Sequence, residues 1–275
     1  MVSDGLYDPS KHACPIPDIV LGQHVFPDRT GSVRLKPGTM MSAADSFQVT
    51  IFGSGGHGSS PHRCIDPVVI ASAIVMRLQT IVSREVAPDE TAVVTVGQIT
   101  AGDTENIIAA EATLKIDIRS MTETSRQRIL ASVQRIVNAE CEAGRCPKPP
   151  LFQRTRTFPL TSNDAALTSA ISDSFAAYFG ENLTSTDRAE LASEDFSILA
   201  SSVGKPSCFW IFGGTAKEEW DERQEKGTLN EIPGNHSPFF APVLGETLRT
   251  GVDALVVAAF TFVGREKGGG GGEGG

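Results

Sequence analysis

Five histidines carry most of the chemistry this sequence could perform, and their settings differ sharply. His24 follows an apolar run, residues 19–21, in Val-Leu-Gly-Gln-His-Val. That places it at the end of a buried strand, where open α/β sheets hold their ligands. It is either a metal or substrate ligand or a core histidine with one backbone partner, and no second ligand two or four residues on decides between them. His236 stands in Gly-Asn-His-Ser-Pro-Phe-Phe, a tight loop before the last helix in which Pro238 holds its predecessor extended. A functional and an exposed-loop histidine both fit that setting. His57 and His62 lie in a glycine-rich stretch, residues 53–62 (GSGGHGSSPH). Such a stretch lets backbone approach a ligand closely, and it serves equally well as a plain strand-to-helix turn. It is not a phosphate-binding P-loop, because the Gly-Lys-Ser/Thr ending is absent.

Other side chains offer less. Arg119 closes an alternating strand and could grip a carboxylate bidentately or pair with a neighbouring acid. Glu194-Asp195 could be a catalytic carboxylate pair, though acids at a helix start are ordinarily capping and dipole groups. No Gly-x-Ser-x-Gly elbow occurs. The five cysteines (Cys14, Cys64, Cys141, Cys146, Cys208) are odd in number, scattered and without a CxxC pair, which indicates neither a disulfide framework nor a zinc knuckle. A reducing, cytoplasmic setting is the expectation, and the opening MVSDGLYDPSKHACP has no secretory h-region.

The elements that must position these residues follow from pattern. The 275 residues carry a net charge of −9, which argues against a polyanion binder such as a nucleic-acid protein. No uninterrupted apolar run approaches the roughly 18 residues of a membrane span, so no membrane role is expected. Phe47, Val49 and Ile51 alternate as in a half-buried strand. Asp66-Pro67 then opens a helix with an apolar stripe, and strands follow at about 92–99 and 112–118. A second helix closes near Gly144, and an extended piece runs over 151–158. The order β-α-β-β-α-β is ferredoxin-like, with both helices on one face of an antiparallel sheet. Beyond Pro159 the pattern predicts a helix ending at Phe179, a buried strand over 207–212, a charged loop, and a last helix carrying Leu248, Val252, Leu255, Val256, Ala259 and Phe260 on one side. Residues 1–44 are too short to fold alone and are expected to join 159–264. The 45–158 module is then an insertion, and the glycine-rich 265–275 a disordered tail.

In combination these pieces resemble the amidohydrolase branch of the M20 metallopeptidases, which contains hippurate hydrolases and auxin-conjugate hydrolases. The resemblance runs from residue 5 to about 264. It is anchored by Gly22-Gln-His24-Val25, residues 38–45 (GTMMSAAD), 53–62, Asp66-Pro67, 78–84 (LQTIVSR), 92–102 (AVVTVGQITAG), Asn106-Ile-Ile, Ile118-Arg119, 193–197 (SEDFS) and Asn235-His236-Ser-Pro-Phe. It implies a partial catalytic α/β domain with an inserted βαββαβ lid and dimerisation domain. It also implies metal-dependent cleavage of N-acyl amino acids or similar small-molecule amides, with two divalent ions (Zn, Mn, Co or Ni) per complete site. By position His24 and His236 match metal ligands, His57 the lid histidine that supports the carbonyl oxygen, and Asn106 and Arg119 substrate-binding positions. Ala109 stands where the family's Asn-x-Ile-Pro motif has proline.

The Cys-x-His and Pro-Ala-Glu-Glu motifs that supply the family's other ligands and its general base do not occur in these 275 residues. The expectation is a C-terminal portion of such an enzyme, inactive as it stands. The alternative is a non-catalytic dimerisation or binding protein built on the lid. A homodimer through the lid is expected because the helix over 67–84 carries more apolar residues than one sheet face needs; the plainer account is that its surplus face packs on the rest of the chain.

Overall fold

The computed structural model describes residues 1–186 and 188–263, so the expected disordered tail at 265–275 lies outside the described residues. The chain divides into two compact units: residues 41–161 with 189–195, and residues 1–40, 162–188 and 196 onward.

In the first unit the strands Ala43–Phe52, Ala92–Ala101, Glu111–Ser120 and Leu151–Phe158 form one antiparallel sheet. Its order places Ala92–Ala101 at one edge, then Glu111–Ser120, Ala43–Phe52 and Leu151–Phe158. Period-two alternation decides which side is covered: Ala112, Leu114, Ile116 and Ile118 are all buried, while their neighbours are less so. Two helices supply the cover. Pro67–Thr80, continued by a π-type turn over Ile81–Glu85, contributes Ile70, Ile74, Leu78 and Ile81; Glu123–Ala143 contributes Ile129, Val133, Ile136 and Val137. Asp66 caps the first by accepting from the Val68 N–H at 2.9 Å, and Thr122 caps the second at the Ser125 N–H. This is the ferredoxin-like βαββαβ module in the expected order. The helix over Pro67–Glu85 is long and apolar enough by length and composition to cross a membrane, with a mean hydropathy of 1.3. Ser72, Arg77 and Gln79 interrupt it, and its Ile70-Ile74-Leu78 face is the core of the module.

A buried ion pair ties that module together. The Arg126 guanidinium donates to both oxygens of Asp45, at 2.6 and 2.9 Å, and Thr157 Oγ1 donates to the same carboxylate at 2.8 Å. Burial alone would raise the Asp45 carboxyl, but these donors hold it below the usual range.

The second unit is built on a sheet in which Val20–Arg29 lies at one edge beside Ser207–Thr215, followed by Val33–Leu35 and Leu183–Ser185. The first two strands run parallel, which requires a long crossover connection. Helices Ala165–Phe179 and Leu244–Phe260 cover one face around Trp210, Phe175 and Ile171. Trp210 meets Phe175 edge-on at 5.4 Å and donates its Nε1–H to Gln23, whose amide in turn donates to the Gly251 carbonyl.

Three expectations are corrected here. His24 does not end a buried strand: the strand runs on to Arg29 beside the nine-residue Ser207–Thr215, and all ten of its residues are half-buried. The charged loop contains a helix, Lys217–Glu225, which buries no residue and so shows no apolar stripe. The large apolar side of the last helix faces outward. Its buried side is Thr247, Thr250, Gly251, Ala254 and Ala258, small residues that allow close approach to the sheet. A Cβ on Gly251 would stand 3.1 Å from Gln23 Nε2 and from the Phe212 ring.

Candidate functional site

His57 and Asn106 are brought together by a short antiparallel pair, Gly56–His57 with Ile107–Ile108, in which the Gly58 N–H donates to the Asn106 carbonyl at 2.8 Å. The glycines around His57 are needed for backbone packing. A Cβ on Gly53 would meet the Ile65 carbonyl at 2.4 Å, and one on Gly55 the Ile108 carbonyl at 2.7 Å. Of the two readings of this stretch, close backbone approach to the protein itself accounts for these residues.

The tautomer of His57 follows from its neighbours. The Ser59 backbone N–H points at His57 Nδ1 from 3.1 Å, and the Ser59 hydroxyl lies 2.8 Å away. A backbone N–H can only donate, so Nδ1 is the acceptor and, in the neutral ring, the proton resides on Nε2. His57 is exposed and presents an N–H donor to its surroundings. Beside it lies a depression of about 520 Å³ lined by Gly58, Asp66, Val68 and residues 101–105 and 107–109. His62 is exposed in the short turn Pro61–Arg63.

Arg119 sits at the opposite end of the sheet. Glu111 pairs with Phe52 beside the His57 end, whereas Arg119 pairs with Ala44, where the chain enters and leaves the module. Eight residues of strand separate Glu111 from Arg119, about 26 Å at roughly 3.3 Å per residue. Arg119 donates Nε–H to Asp117 at 2.8 Å and Nη1–H to the Ser193 hydroxyl at 2.7 Å, which leaves Nη2 without a partner among the described residues. The neighbouring-acid reading is therefore realised, with one donor pair in reserve. Burial would raise the Asp117 carboxyl, but hydrogen bonds from Ser46, Arg119 and Arg156 hold it low. Glu194 and Asp195 do not cap a helix, since the four-residue helix Ile198–Ser201 begins after Ser197.

His24 and His236 belong to the second unit, where His24 and Asn235, the residue before His236, meet at one atom. His24 Nδ1 lies 2.7 Å from the Val25 carbonyl oxygen, and the side-chain amide of Asn235, next to His236, donates to that same oxygen at 2.8 Å. A carbonyl only accepts, so His24 Nδ1 carries the proton and Nε2 the lone pair. His236 occupies the third position of a turn closed by the Ser237 N–H on the Gly234 carbonyl, with φ of +68°, where glycine or asparagine is usual. A histidine held in the left-handed region is a strained choice of the kind that accompanies function. Among the described residues no three His, Cys, Asp or Glu side chains form a group that could hold a metal ion. Two imidazoles alone do not make the donor set of a dinuclear site. The buried thiols are inert: burial together with Cys146 pushes Cys141 up to about 12, and burial pushes Cys208 up to about 11.

Residues 42–145 match the M20 peptidase dimerisation domain. The chain is 34% identical over 203 residues to a hippurate hydrolase of Campylobacter jejuni, covering 72% of this chain and 51% of that protein. It is 33% identical over 215 residues to an N-acetyl-L-cysteine deacetylase of Bacillus subtilis, covering 74% and 48%. An aminohydrolase structure from methicillin-resistant Staphylococcus aureus superposes with a TM-score of 0.73 at 25% identity, covering 94% of this chain and 61% of that one. The fold is also that of a Bacillus subtilis protein described as a dinuclear metal binding peptidase of the M20 family, with a TM-score of 0.62, 22% identity, and coverage of 89% and 57%. The chain spans about half the length of the curated relatives it matches.

Proposed function

Because this chain belongs to the M20 peptidase family, we propose that its residues serve a metal-dependent amidohydrolase acting on N-acyl amino acids or similar amide conjugates. The observation that carries this reading is the opposite tautomers of two histidines. His57 offers Nε2–H, the donor a carbonyl oxygen needs as negative charge develops on it. His24 has its Nδ1–H held by a backbone carbonyl, the arrangement common to metal-ligating histidines. In a completed site His24 and His236 would be two of the protein ligands to a pair of divalent ions, Zn, Mn, Co or Ni. The remaining donors are ones that the described residues do not bring together. Asn106 and the reserve donors of Arg119 would hold the substrate, the arginine suiting a carboxylate.

The strand between Arg119 and the His57–Asn106 pair supports the reading of a homodimer. One substrate would meet Arg119 of one copy and His57 with Asn106 of another. The outward stripe Val69, Ala73 and Met76 on the first helix of the lid supports association there. The 275 residues alone are expected to bind zinc weakly and to leave N-acetyl amino acids intact; chelator-sensitive turnover by them would overturn that part of the proposal.

The decisive experiment joins the chain to the part of the Bacillus subtilis deacetylase that it does not match. The fusion is expected to hydrolyse N-acetyl amino acids in a chelator-sensitive way. His57→Ala should cut turnover by about 10²-fold or more with metal retained, as for loss of a donor to a developing oxyanion. His24→Ala and His236→Ala should lose metal. A folded fusion that neither binds metal nor turns over would overturn the enzyme reading and favour a non-catalytic dimerisation protein, which the lack of a three-ligand group among the described residues would then explain.

A further inference from the structure

The lid module holds a pair of thiols that the proposed chemistry leaves unused. The helix Glu123–Ala143 ends in a turn that folds back on itself: the Arg145 N–H donates to the Glu142 carbonyl and the Cys146 N–H to the Cys141 carbonyl, both at 2.9 Å. This nested pair is the Schellman closure, which sets the side chain two residues past the helix cap against the one three residues before it. Here those two side chains are Cys146 and Cys141. The closure needs the residue between the cap and Cys146 in the left-handed region, and Arg145 is held there at φ +58°, a position usually given to glycine. The turn is seated on the first helix, since a Cβ on Gly144 would lie 2.5 Å from the Ile70 side chain. Both sulfurs therefore belong to one core: Cys141 is 2% exposed within it, and the half-buried Cys146 packs against it. Cys146 is near enough to act on the Cys141 thiol, which burial first and that neighbour second hold above its ordinary value. The other three cysteines have partners of a different kind: Cys14 meets the Pro15 carbonyl, Cys64 the Ser60 carbonyl and Cys208 the Thr168 hydroxyl.

We propose that Cys141 and Cys146 are a reversible oxidation site, a dithiol that hydroperoxides convert to a disulfide, with Cys146 the sulfur that reacts first. The division of labour follows from burial. Cys141 is closed to reagents in solution, whereas Cys146 is within reach of a molecule as small as hydrogen peroxide. The Cys146 thiolate attacks one peroxide oxygen, the O–O bond breaks, and the hydroxide that leaves takes up a proton to become water; Cys146 is then a sulfenic acid. The Cys141 sulfur next attacks the Cys146 sulfur, the S–O bond breaks, and the departing hydroxide carries off the Cys141 proton as a second water. Two thiols and one peroxide thus give a disulfide and two waters, and an external thiol reverses the change by exchange. The inertness of Cys141 toward solution is no obstacle, since its target is the adjoining sulfur. The neighbour that helped to hold its proton is also neutral once it has become the sulfenic acid. The inference concerns the lid module alone and is independent of amide hydrolysis.

The test treats the reduced 275-residue chain with a few equivalents of hydrogen peroxide, alkylates the remaining thiols and digests with trypsin. Cleavage after Arg145 separates the two cysteines, so their disulfide is read by mass spectrometry as two joined peptides that a reductant releases. That joined pair is the expected product, with Cys14, Cys64 and Cys208 recovered alkylated. Cys141→Ala should stop the reaction at a sulfenic acid on Cys146, trapped by dimedone, and Cys146→Ala should leave Cys141 unoxidised. Arg145→Val puts a β-branched residue where the backbone must be left-handed and should slow disulfide formation by about tenfold or more, whereas Arg145→Gly should preserve it. Both Arg145 variants keep the two thiols, so the result does not depend on whether the core accepts a change at Cys141. Joined peptides that involve Cys14, Cys64 or Cys208 instead would overturn the proposal. So would oxidation of Cys146 to sulfinic acid with Cys141 still free, or an Arg145→Val chain that closes as fast as the unaltered one.

Discussion

The two units spend their apolar side chains in opposite ways. In the 43–158 module the large residues of both helices, Ile70, Ile74, Leu78, Ile129, Val133 and Ile136, turn inward onto the alternating strand Glu111–Ser120. In the unit around Trp210 the last helix turns Thr247, Gly251, Ala254 and Ala258 inward and leaves Leu248, Val252 and Phe260 outside. All three helices have an apolar stripe of helical period, yet in the first two it forms the core and in the last it lies at the surface. Periodicity shows that a helix has a distinct face; what lies against that face decides its direction. The first module closes a core of its own while keeping Val69 and Met76 outside, and in the second the large residues of the last helix lie outside the core.

The largest way to break this contrast is to remove the element that makes the first module self-sufficient. Asp45 is 1% exposed and held by Arg126 and Thr157, so Asp45→Ala strands a guanidinium that is itself only 13% exposed. Breaking such a pair costs about 3–5 kcal/mol. Calorimetry should show the loss in the transition of the 43–158 module. The pH dependence has a definite sign. Asp45 and Asp117 are both held below the usual carboxylate range in the folded module. Their contribution is therefore complete above the unfolded value of about 3.9 and disappears as pH falls through the lower folded values. Acid titration should destabilise this module below about pH 4, and Asp45→Asn should flatten that decline. An unchanged acid profile in Asp45→Asn would remove the ion pair from the account.

In the other unit a residue is kept against its backbone preference, which gives a smaller effect of opposite sign. His236 sits at φ +68° in a turn that glycine would close without strain. His236→Gly should leave stability unchanged or raise it by up to about 1 kcal/mol, the strain relieved being offset in part by glycine's larger unfolded-state entropy. Urea unfolding measures this. A loss above that size would show that the imidazole holds the loop, and the side chain would then be structural.

Much of the fold was legible because its signals are local. Asp66-Pro67 fixes a helix start, Gly144 and Gly180 mark ends, and alternation at 112–118 fixes a strand face. The helix Lys217–Glu225 was not, since it buries nothing and leaves no periodic trace. For the site, residue type and motif identified His24, His57, Asn106, Arg119 and His236. Their tautomers, and the separation of Arg119 from His57, depend on Ser59, Val25 and strand register, partners that no spacing rule reveals. The αL backbone of His236 was equally hidden, because glycine or asparagine is the usual signal for it and neither stands there.

The smallest expected effect is the sharpest test of the contrast. If the Leu248 and Val252 side chains were core, as the stripe alone suggests, replacing either with glutamate would bury an unpaired charge and cost several kcal/mol. Both are more than half exposed, and the burial on their helix is done by the small residues of the opposite side. Leu248→Glu and Val252→Glu should therefore each change the unfolding free energy by no more than about 0.5 kcal/mol, the range of ordinary surface substitutions. Ala254→Glu, one small residue on the inward face, serves as the opposite case: Ala254 is fully buried within the core around Trp210, so a carboxylate there has neither room nor a partner and should unfold the unit. Chemical denaturation of the three variants in dilute solution decides the matter. Near-neutral changes at 248 and 252 beside a collapse at 254 fix the outward direction of the large face; comparable losses at all three would turn the helix around.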